Sequence, residues 1–318
     1  MLGAISLLAF AASLGRTEST ASGKPLIKKL GTMDCDMVET TPIVFRGRLY
    51  RFEYVRQNYK RNTTGDSYFR FIDVETGKPT QAFAAGYHLG SAYVENDTVY
   101  VYGVDAWGGS NIQVFWSKDL RTWSSQPALT LPGWGIFNNS VCKGVGRYIM
   151  AIEIDKPSEE TGVPFTMRFA ESGNLLDWKL TPSDRVHSRD RYTACPALRF
   201  LDGFYYMIYL EARPGPTYEP HIVRSKDLVN WESSPFNPVM QFSPEDKMIA
   251  NPNLAAEERE RVAGAFNRNN SDVDLCEFKG KVIIYYSWGN QEGIEFLAEA
   301  ECQGTLANFL RAFFPQTM

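Results

Sequence analysis

The chain has 318 residues, of which 44% are hydrophobic and 14% aromatic, enough to bury a core in one large domain or two average ones. This apolar content argues against a disordered chain. The formal net charge is -4 and no long block of lysine and arginine occurs, so a nucleic-acid partner is not expected, because phosphate binding needs a concentrated basic face.

The first predicted element is a secretory signal peptide over residues 1–22. Leu2 to Leu14 is an apolar run that is too short to span a bilayer comfortably, and a polar stretch rich in small residues follows it. No lysine or arginine precedes the run, so an ordinary apolar N-terminus is the alternative. The pattern predicts a secreted or periplasmic protein with one domain over residues 23–318 and no membrane partner.

Five segments then follow the same pattern of a strand, a turn containing glycine or aspartate, and a strand rich in aromatic residues. Alternating apolar residues around such a turn are typical of a β-hairpin. The five predicted hairpins cover residues 40–55, 89–104, 138–153, 193–211 and 270–289. A short helix is predicted over 254–263, with Asn253 as its N-cap.

A second motif consists of serine, two residues, leucine, two residues and tryptophan. It ends at Trp123, Trp178 and Trp231, so the spacing is 55 and then 53 residues. A repeat near 50 residues is typical of a β-propeller. Five hairpins with this spacing predict an all-β fold, a five-bladed β-propeller of four-stranded antiparallel blades. The tryptophans are expected to pack between neighbouring sheets and not to bind a ligand.

The paired hairpins and the Ser…Leu…Trp repeats resemble the five-bladed propellers of glycoside hydrolase family 43 and its relatives, families 32, 62, 68 and 117. The resemblance covers residues 30–318 as repeat architecture. It implies a pocket on the propeller axis, lined by the beginnings of the innermost strands. It also implies an inverting site in many relatives, with a base Asp in blade one, a supporting Asp in blade two and an acid Glu in blade three.

The sequence departs from that catalytic pattern. Thr41 stands where the family has the base Asp before a proline, and Asn138 and Asn139 stand where blade three would supply its acid. Blade two opens with His88 and glycine, without a carboxylate. The family's catalytic residues therefore do not carry over position by position, and a propeller without hydrolytic activity is an open alternative.

Other acidic residues at blade openings are candidates for the two carboxyl groups that glycoside hydrolysis needs. Asp36 and Glu39 precede the first strand of blade one, and Asp272 opens blade five. Glu211 ends a second strand, as do Glu53 and Glu153. A solvated loop, a turn aspartate or a structural ion pair is the alternative for each. The predicted catalytic residues are Glu39, Asp272, Asp36 and Glu211.

Polar and aromatic side chains near the same openings are the predicted substrate-binding residues. Aromatic side chains on glycine-flanked loops can stack on sugar faces, although they can equally anchor the loop. A lone histidine is more often a hydrogen-bonded structural residue. The candidates are His88, Trp107, Trp134, Asn139, Arg191 and Tyr192.

The five cysteines form no C-x-x-C pair and are expected to be small buried residues. No metal-ligating residues are assigned, and no cofactor is expected, although a structural Ca²⁺ on the axis is an option because oxygen ligands are plentiful there. The sequence favours a monomeric glycoside hydrolase with a carbohydrate substrate. A carbohydrate-binding propeller and a protein-interaction propeller are the alternatives.

Overall fold

The structure of the protein is a computed structural model, which describes residues 17–20, 23–62, 64–215, 217–290 and 292–315. Leu2 to Leu14 of the predicted signal peptide lies outside the described residues, so export stays a prediction. No helix in the described part of the chain is long and apolar enough to cross a membrane.

Strands dominate the described chain, with a few short helices between them. The strands are β1 Lys28–Cys35, β2 Thr40–Phe45, β3 Arg48–Val55, β4 Tyr68–Asp73, β5 His88–Glu95, β6 Thr98–Val104, β7 Asn111–Ser117, β8 Ser124–Thr130, β9 Gly135–Lys143, β10 Tyr148–Lys156, β11 Thr166–Ser172, β12 Lys179–Leu180, β13 Thr193–Leu201, β14 Phe204–Arg213, β15 Thr217–Ser225, β16 Trp231–Ser233, β17 Asn269–Phe278, β18 Lys281–Gly289 and β19 Glu295–Gln303. The helices are α1 Ser158–Thr161, a 3-10 turn Pro244–Lys247, α2 Ala256–Gly264 and α3 Leu306–Ala312.

The strands form five antiparallel sheets, which we call blades I to V. Blades II, III and IV each take four consecutive strands, β5–β8, β9–β12 and β13–β16. Blade I contains β2, β3 and β4, and the segment after β4 continues it through isolated bridges from Phe69 to Phe83 and from Ile72 to Pro79. The five predicted hairpins are the first two strands of the five blades.

The ring closes because the first strand completes the last blade. Blade V has the order β1-β19-β18-β17, with β1 antiparallel to β19 from Lys28 opposite Glu301 to Cys35 opposite Phe296. The innermost strands contact one another in a circle, from β2 through β5, β9, β13 and β17 back to β2. The prediction of a five-bladed β-propeller is confirmed.

Tight turns explain why the inner hairpins form where the sequence predicts them. Arg46, Asp202 and Lys279 have φ of 49°, 52° and 50°, and the glycine after each of them also has a positive φ. Each pair is a two-residue connection between paired strands. Two consecutive left-handed residues match the right-handed twist of a hairpin, and glycine adopts that conformation without strain.

The Ser…Leu…Trp motif is a structural turn that locks one blade onto the one before it. The N–H of Leu120 donates to Ser117 Oγ at 2.9 Å, and the same bond recurs in the other two repeats. The tryptophan that follows packs on an aromatic ring of the preceding blade, which agrees with the packing role expected for it. The ring centroids are separated by 3.9 Å for Trp123 and Phe83, 5.6 Å for Trp178 and Tyr102, and 5.7 Å for Trp231 and Phe169.

Helix α2 lies in the insertion between blades IV and V, close to the predicted range. The predicted N-cap, Asn253, is wrong: the helix is capped at Ala255, whose N–H donates to the Glu258 carboxylate at 2.9 Å. A glutamate in the first turn of a helix satisfies the free N–H groups there and interacts favourably with the helix dipole, so no capping asparagine is needed.

Candidate active site on the propeller axis

Irregular pairing at the start of the inner strands shapes the axial site. In blades II to V, two residues of the inner strand oppose one residue of the second strand, which is the pattern of a β-bulge. Leu89, Cys195 and Asp272 occupy such bulges with φ of 52°, 49° and 50°. Residues other than glycine carry backbone strain in this left-handed region. Bulges commonly redirect side chains beside active sites.

A cavity of about 640 Å³ opens where these bulges meet. Residues from all five blades line it, among them Leu89 from blade II and Cys195 from blade IV. Its acidic side chains are Glu39, Glu153, Asp155, Asp272 and Glu295, and its basic side chains are Arg56 and Lys156. Acidic residues from distant parts of the sequence therefore share one polar depression, as a glycosidase mechanism requires.

Glu39 and Glu295 share one arginine at the edge of the cavity. Arg56 donates to Glu39 Oε1 at 2.8 Å and to Glu295 Oε2 at 3.0 Å. Glu39 is only 9% exposed, and its second oxygen, Oε2, is buried without a hydrogen-bond partner among the described residues. Glu39 thus combines a fixed orientation with one buried oxygen whose hydrogen-bonding capacity is unused among the described residues.

Glu153 is buried at the end of its strand, without a cationic partner among the described residues. Its Oε2 accepts hydrogen bonds from the N–H of Cys195 at 2.8 Å and from Asn138 Nδ2 at 3.0 Å. Burial raises the pKa of Glu153 to about 7, and the nearby charges of Asp272 and Glu39 act in the same direction, while these two hydrogen bonds lower it. The carboxyl therefore exchanges a proton near neutral pH.

Asp272 lines the same cavity and is half-buried. Its burial raises the pKa to about 7, and the negative charge of Glu39 adds to the shift, against hydrogen bonds from Ser271 and Cys195. The charge of Asp272 also raises the pKa of Glu153, so the two carboxyl groups titrate together. Their apparent pKa values belong to the pair and not to either residue alone.

Two of the four predicted catalytic residues lie in this cavity, and two do not. The structure brings Glu39 and Asp272 together. Asp36 lies outside the cavity lining, where both of its oxygens accept hydrogen bonds from Arg261 at 2.7 and 2.9 Å.

Glu211 also lies outside the cavity lining. Its Oε2 accepts a hydrogen bond from Tyr209 at 2.7 Å, and Arg191 and Arg213 each approach within 3.5 Å. Burial alone would raise the pKa of Glu211, but the Tyr209 hydroxyl and the surrounding cationic groups lower it. Its carboxylate is thereby stabilised in the charged form.

Of the predicted binding residues, Trp107 and Tyr192 line the cavity. Trp107 is 57% exposed, packs edge-on against Phe137 with ring centroids 5.9 Å apart, and has the Arg56 guanidinium 5.8 Å from its ring centre. Trp107 is thus an accessible aromatic surface in the cavity lining, suited to stacking on a sugar ring.

The other predicted binding residues have protein partners. His88 Nδ1 is hydrogen-bonded to the Tyr54 hydroxyl at 2.7 Å, and burial lowers its pKa. Trp134 is half-buried, with the Arg168 guanidinium 5.8 Å from its ring centre. Arg191 pairs with Asp190 and Glu211.

Asn139 is buried further along the axis, beside a second cavity of about 40 Å³. Its Oδ1 accepts a hydrogen bond from Ser91 at 2.6 Å, and its Nδ2 donates to two backbone carbonyls at 3.3 Å. These bonds join the inner strands of blades II and III, which is a structural use of the side chain.

Sequence reasoning did not single out five side chains that complete the site. Glu153 occupies the end of a second strand, a position that the sequence shows to be acidic in blades I and IV as well, so the pattern alone does not separate it from Glu53 or Glu211. Cys195 was expected to be an inert buried residue, yet it lines the cavity between two carboxyl groups. The other missed residues are Asn138, Asp155 and Glu295.

The described residues contain no group of three or more His, Cys, Asp or Glu side chains placed to hold a metal ion. The structural Ca²⁺ therefore stays a prediction, and the chemistry considered below uses only residues of the chain.

The fold is similar to solved structures of glycoside hydrolases. An α-L-arabinofuranosidase from Podospora anserina, solved in complex with cellotriose, is 8% identical with a TM-score of 0.59, over 89% of this chain and 99% of that one. A thermostable family-43 glycoside hydrolase is 12% identical with a TM-score of 0.58, over 85% of this chain and 90% of that one. A glycosyl hydrolase from Bacteroides ovatus is 12% identical with a TM-score of 0.54, over 90% of this chain and 94% of that one.

No protein-family model matches the sequence, and no curated protein matches it either. At identities of 8 to 12%, the similarity to these solved structures establishes the fold alone. The resemblance to the propellers of family 43 and its relatives is confirmed at that level.

Proposed function

We propose that this protein is a glycoside hydrolase that cleaves a glycosidic bond in the axial cavity. The observation that carries the proposal is Glu153, a buried carboxyl with a pKa of about 7, in the same cavity as the ion-paired carboxylate of Glu39. Glycoside hydrolysis needs one carboxyl that donates a proton and a second that activates water or attacks the sugar. The buried environment of Glu153 suits the proton donor, and the ion-paired environment of Glu39 suits the second carboxyl.

Glu153 is the proposed general acid. A carboxyl that donates a proton to the leaving oxygen must hold that proton near neutral pH, which burial makes possible. Its Oε2 is occupied by two hydrogen-bond donors, so the proton resides on Oε1. As the glycosidic bond breaks, this proton moves to the leaving oxygen and Glu153 becomes charged.

Glu39 is the proposed base. The guanidinium of Arg56 fixes Oε1, and the buried Oε2, which has no hydrogen-bond partner among the described residues, would accept a hydrogen bond from a water molecule admitted beside it. In an inverting reaction that water attacks the anomeric carbon and its proton passes to Oε2. Asp272 supports the acid, because its negative charge raises the pKa of Glu153 and so favours the protonated form.

The substrate would be held at the mouth by aromatic residues. Trp107 offers an exposed ring face, and Tyr192 lines the same cavity. The complex of the Podospora anserina enzyme with cellotriose supports an oligosaccharide as ligand class for this fold. A carbohydrate-binding propeller without hydrolysis is the second candidate, because Thr41 and Asn138 replace carboxylates at family positions.

A screen of aryl glycosides and oligosaccharides for product release tests the proposal. Glu39→Gln should lose at least about 100-fold in kcat on any substrate that the wild type cleaves, since an amide cannot take the proton from water. Glu211→Gln is the matched control, because Glu211 lies outside the cavity and should retain activity. Sugar binding by calorimetry without product release from any substrate would instead identify a binding protein.

A further inference from the structure

The turn between β1 and β2 carries the proposed base, and helix α2 anchors this turn from outside the cavity. Asp36 lies in the turn, three positions before Glu39, and its two carboxylate oxygens accept hydrogen bonds from Arg261 at 2.7 and 2.9 Å. Paired hydrogen bonds between an arginine and a carboxylate fix the orientation of both groups. The insertion between blades IV and V therefore holds the connection from blade V to blade I.

The backbone of Asp36 adopts a conformation that needs support from its surroundings. Its φ is 61°, in the left-handed region that residues other than glycine seldom adopt, although aspartate and asparagine tolerate it better than most. The N–H of Asp36 donates to the carbonyl oxygen of Glu295 at 3.0 Å, which ties the turn to the start of β19. Asp36 is therefore anchored twice, by its side chain on α2 and by its backbone on β19.

The side chain of Glu295 leads from this turn back to the base. Its Oε2 accepts a hydrogen bond from Arg56 Nη1 at 3.0 Å. Nη2 of the same guanidinium donates to Glu39 Oε1 at 2.8 Å. These contacts and the chain of the turn form a closed ring through Asp36, Glu295, Arg56 and Glu39. A displacement of Asp36 therefore reaches Glu39 by two routes, along the turn and through the guanidinium of Arg56.

Helix α2 also contacts the segment that begins with Arg56, the connection from β3 to β4. Arg61 Nη2 donates to the two carboxylate oxygens of Glu258 at 2.5 and 2.6 Å, and Lys60 Nζ donates to Glu257 Oε1 at 2.9 Å. One helix is thus attached both to the turn that carries the base and to the segment that carries its arginine partner.

We propose that Asp36 and Arg261 are positioning residues, whose ion pair fixes the turn before β2 and so holds the base Glu39 on Arg56. This inference rests on the proposed hydrolase function, because it concerns the carboxylate that activates water. Asp36 lies outside the cavity lining, so it acts through Glu39 and not on the substrate. The side chains of the pair are 26% and 37% exposed, so a moderate contribution is expected.

The test removes the charge from either partner, with Arg261→Gln and Asp36→Asn. Asparagine also tolerates the left-handed backbone, so the second variant changes the ion pair and not the turn. Each variant should lower kcat about 5- to 10-fold on a glycoside that the wild type cleaves, because a displaced base slows the chemical step. KM should stay within about twofold, since the aromatic residues of the cavity are unchanged. The double variant should be no slower than the slower single variant, because both substitutions break the same contact.

Glu257→Gln is the matched control, because it removes another ion pair of the same helix. The side chains of Lys60 and Glu257 are 53% and 71% exposed, and exposed pairs contribute little, so kcat should stay within about twofold of the wild type. Values of kcat within twofold of the wild type in both Arg261→Gln and Asp36→Asn would overturn the proposal. An equally large loss of kcat in Glu257→Gln would also overturn it, since any disturbance of the helix would then have the same effect.

A second measurement does not depend on catalysis. Amide hydrogen exchange of Asp36 reports on its hydrogen bond to Glu295, and Arg261→Gln leaves that amide chemically unchanged. Exchange at this amide should be at least about 10-fold faster in Arg261→Gln than in the wild type or in Glu257→Gln. Unchanged exchange refutes the positioning role even if no glycoside is ever cleaved. Faster exchange in a protein without glycosidase activity refutes the proposed function and leaves the anchoring of the turn intact.

Discussion

Two buried glutamates on second strands of their blades have opposite electrostatic environments. Glu53 in blade I accepts hydrogen bonds from Arg51 at 2.6 and 2.8 Å and from Arg70 at 2.7 Å. Burial alone would raise the pKa of Glu53, but the two guanidinium groups outweigh it and lower the pKa. Glu153 in blade III is nearly as buried, at 3% exposure, and accepts hydrogen bonds from uncharged donors, so its pKa rises to about 7.

The difference comes from the neighbours in the sheet. Glu53 has an arginine two residues before it and is paired across the sheet with Arg70. Glu153 has Ala151 two residues before it and is paired with Met167. A buried carboxyl with cations on its own face of the sheet is a structural ion pair, and one with apolar neighbours there is available for proton transfer.

The largest expected effect is on kcat, and it should distinguish Glu153 from Glu53. Glu153→Gln should lower kcat on an oligosaccharide about 10³-fold, because the leaving oxygen receives no proton. The loss should be much smaller on an aryl glycoside whose leaving group departs as a stable anion. Steady-state kinetics on both substrates measure this, and equal losses would show that Glu153 does not act as the acid.

Glu53→Gln should act on stability and not on chemistry. Removal of one partner from a buried ion pair leaves Arg51 and Arg70 uncompensated and typically costs about 3–5 kcal/mol. Urea denaturation at neutral pH should show this loss, while kcat per folded molecule stays near the wild-type value. A stable variant with strongly reduced kcat would place Glu53 in the reaction and remove the contrast.

Asp272→Asn should change how stability depends on pH. Folding raises the pKa of Asp272 from 3.8 to about 7, so the stabilising contribution of its protonated form is complete below about pH 4 and is lost as the pH rises through about 7. The variant should therefore gain stability relative to the wild type between pH 5 and pH 8, by at most about 4 kcal/mol at about 1.4 kcal/mol per pKa unit.

Thermal unfolding of wild type and Asp272→Asn at several pH values checks this. Glu53 provides the opposite sign: its pKa is lowered by folding, so its contribution is present above the unfolded pKa and is lost as the pH falls. The loss of unfolding free energy in Glu53→Gln, relative to the wild type, should accordingly become smaller in acid. The gain of unfolding free energy in Asp272→Asn should also become smaller in acid. If the ionised forms of Glu53 and Asp272 changed the free energy of unfolding in the same direction, the assigned environments would be contradicted.

The smallest expected effect is the pH dependence of kcat in the wild-type protein. If Glu153 delivers the proton, kcat should fall on the alkaline side with an apparent pKa of about 7, since its charged form cannot donate. A kcat–pH profile measures this limb. A limb that stays near pH 7 in Glu153→Gln would assign it to another group of the cavity, with Asp272 the first candidate.

The fold could be predicted from the sequence because each blade repeats a local signal. The Ser…Leu…Trp turns, the glycine turns and the alternating hairpins each lie within a few tens of residues, and all of them form where the pattern indicates. The axial position of Glu39 and Asp272 also followed, because the openings of inner strands converge in a propeller.

The complete site could not be predicted in the same way. Asn138, Cys195 and Glu153 meet only because bulges shift the pairing in blades III and IV, and a shift of one residue turns a side chain to another face. Asp36 and Glu211 are catalytic candidates by position in the sequence, with a structural ion pair as one alternative, and the structure shows each of them paired with arginine. The partner of Asp36, Arg261, comes from α2, far along the chain, and the linear sequence does not connect the two. Glu211 has Arg191 from the segment before β13 and Arg213 from its own strand, and only the second of these is evident from the sequence.

The way in which β1 completes blade V has a consequence for biosynthesis. Within the described chain, β1 precedes all four other blades and its antiparallel partner β19 follows them, so this pairing cannot form until the strands of those blades have been made. Blades II to IV can assemble from consecutive strands, whereas the ring becomes continuous only in one late, long-range step. Removal of β1 would therefore expose β19 as an unpaired edge of blade V.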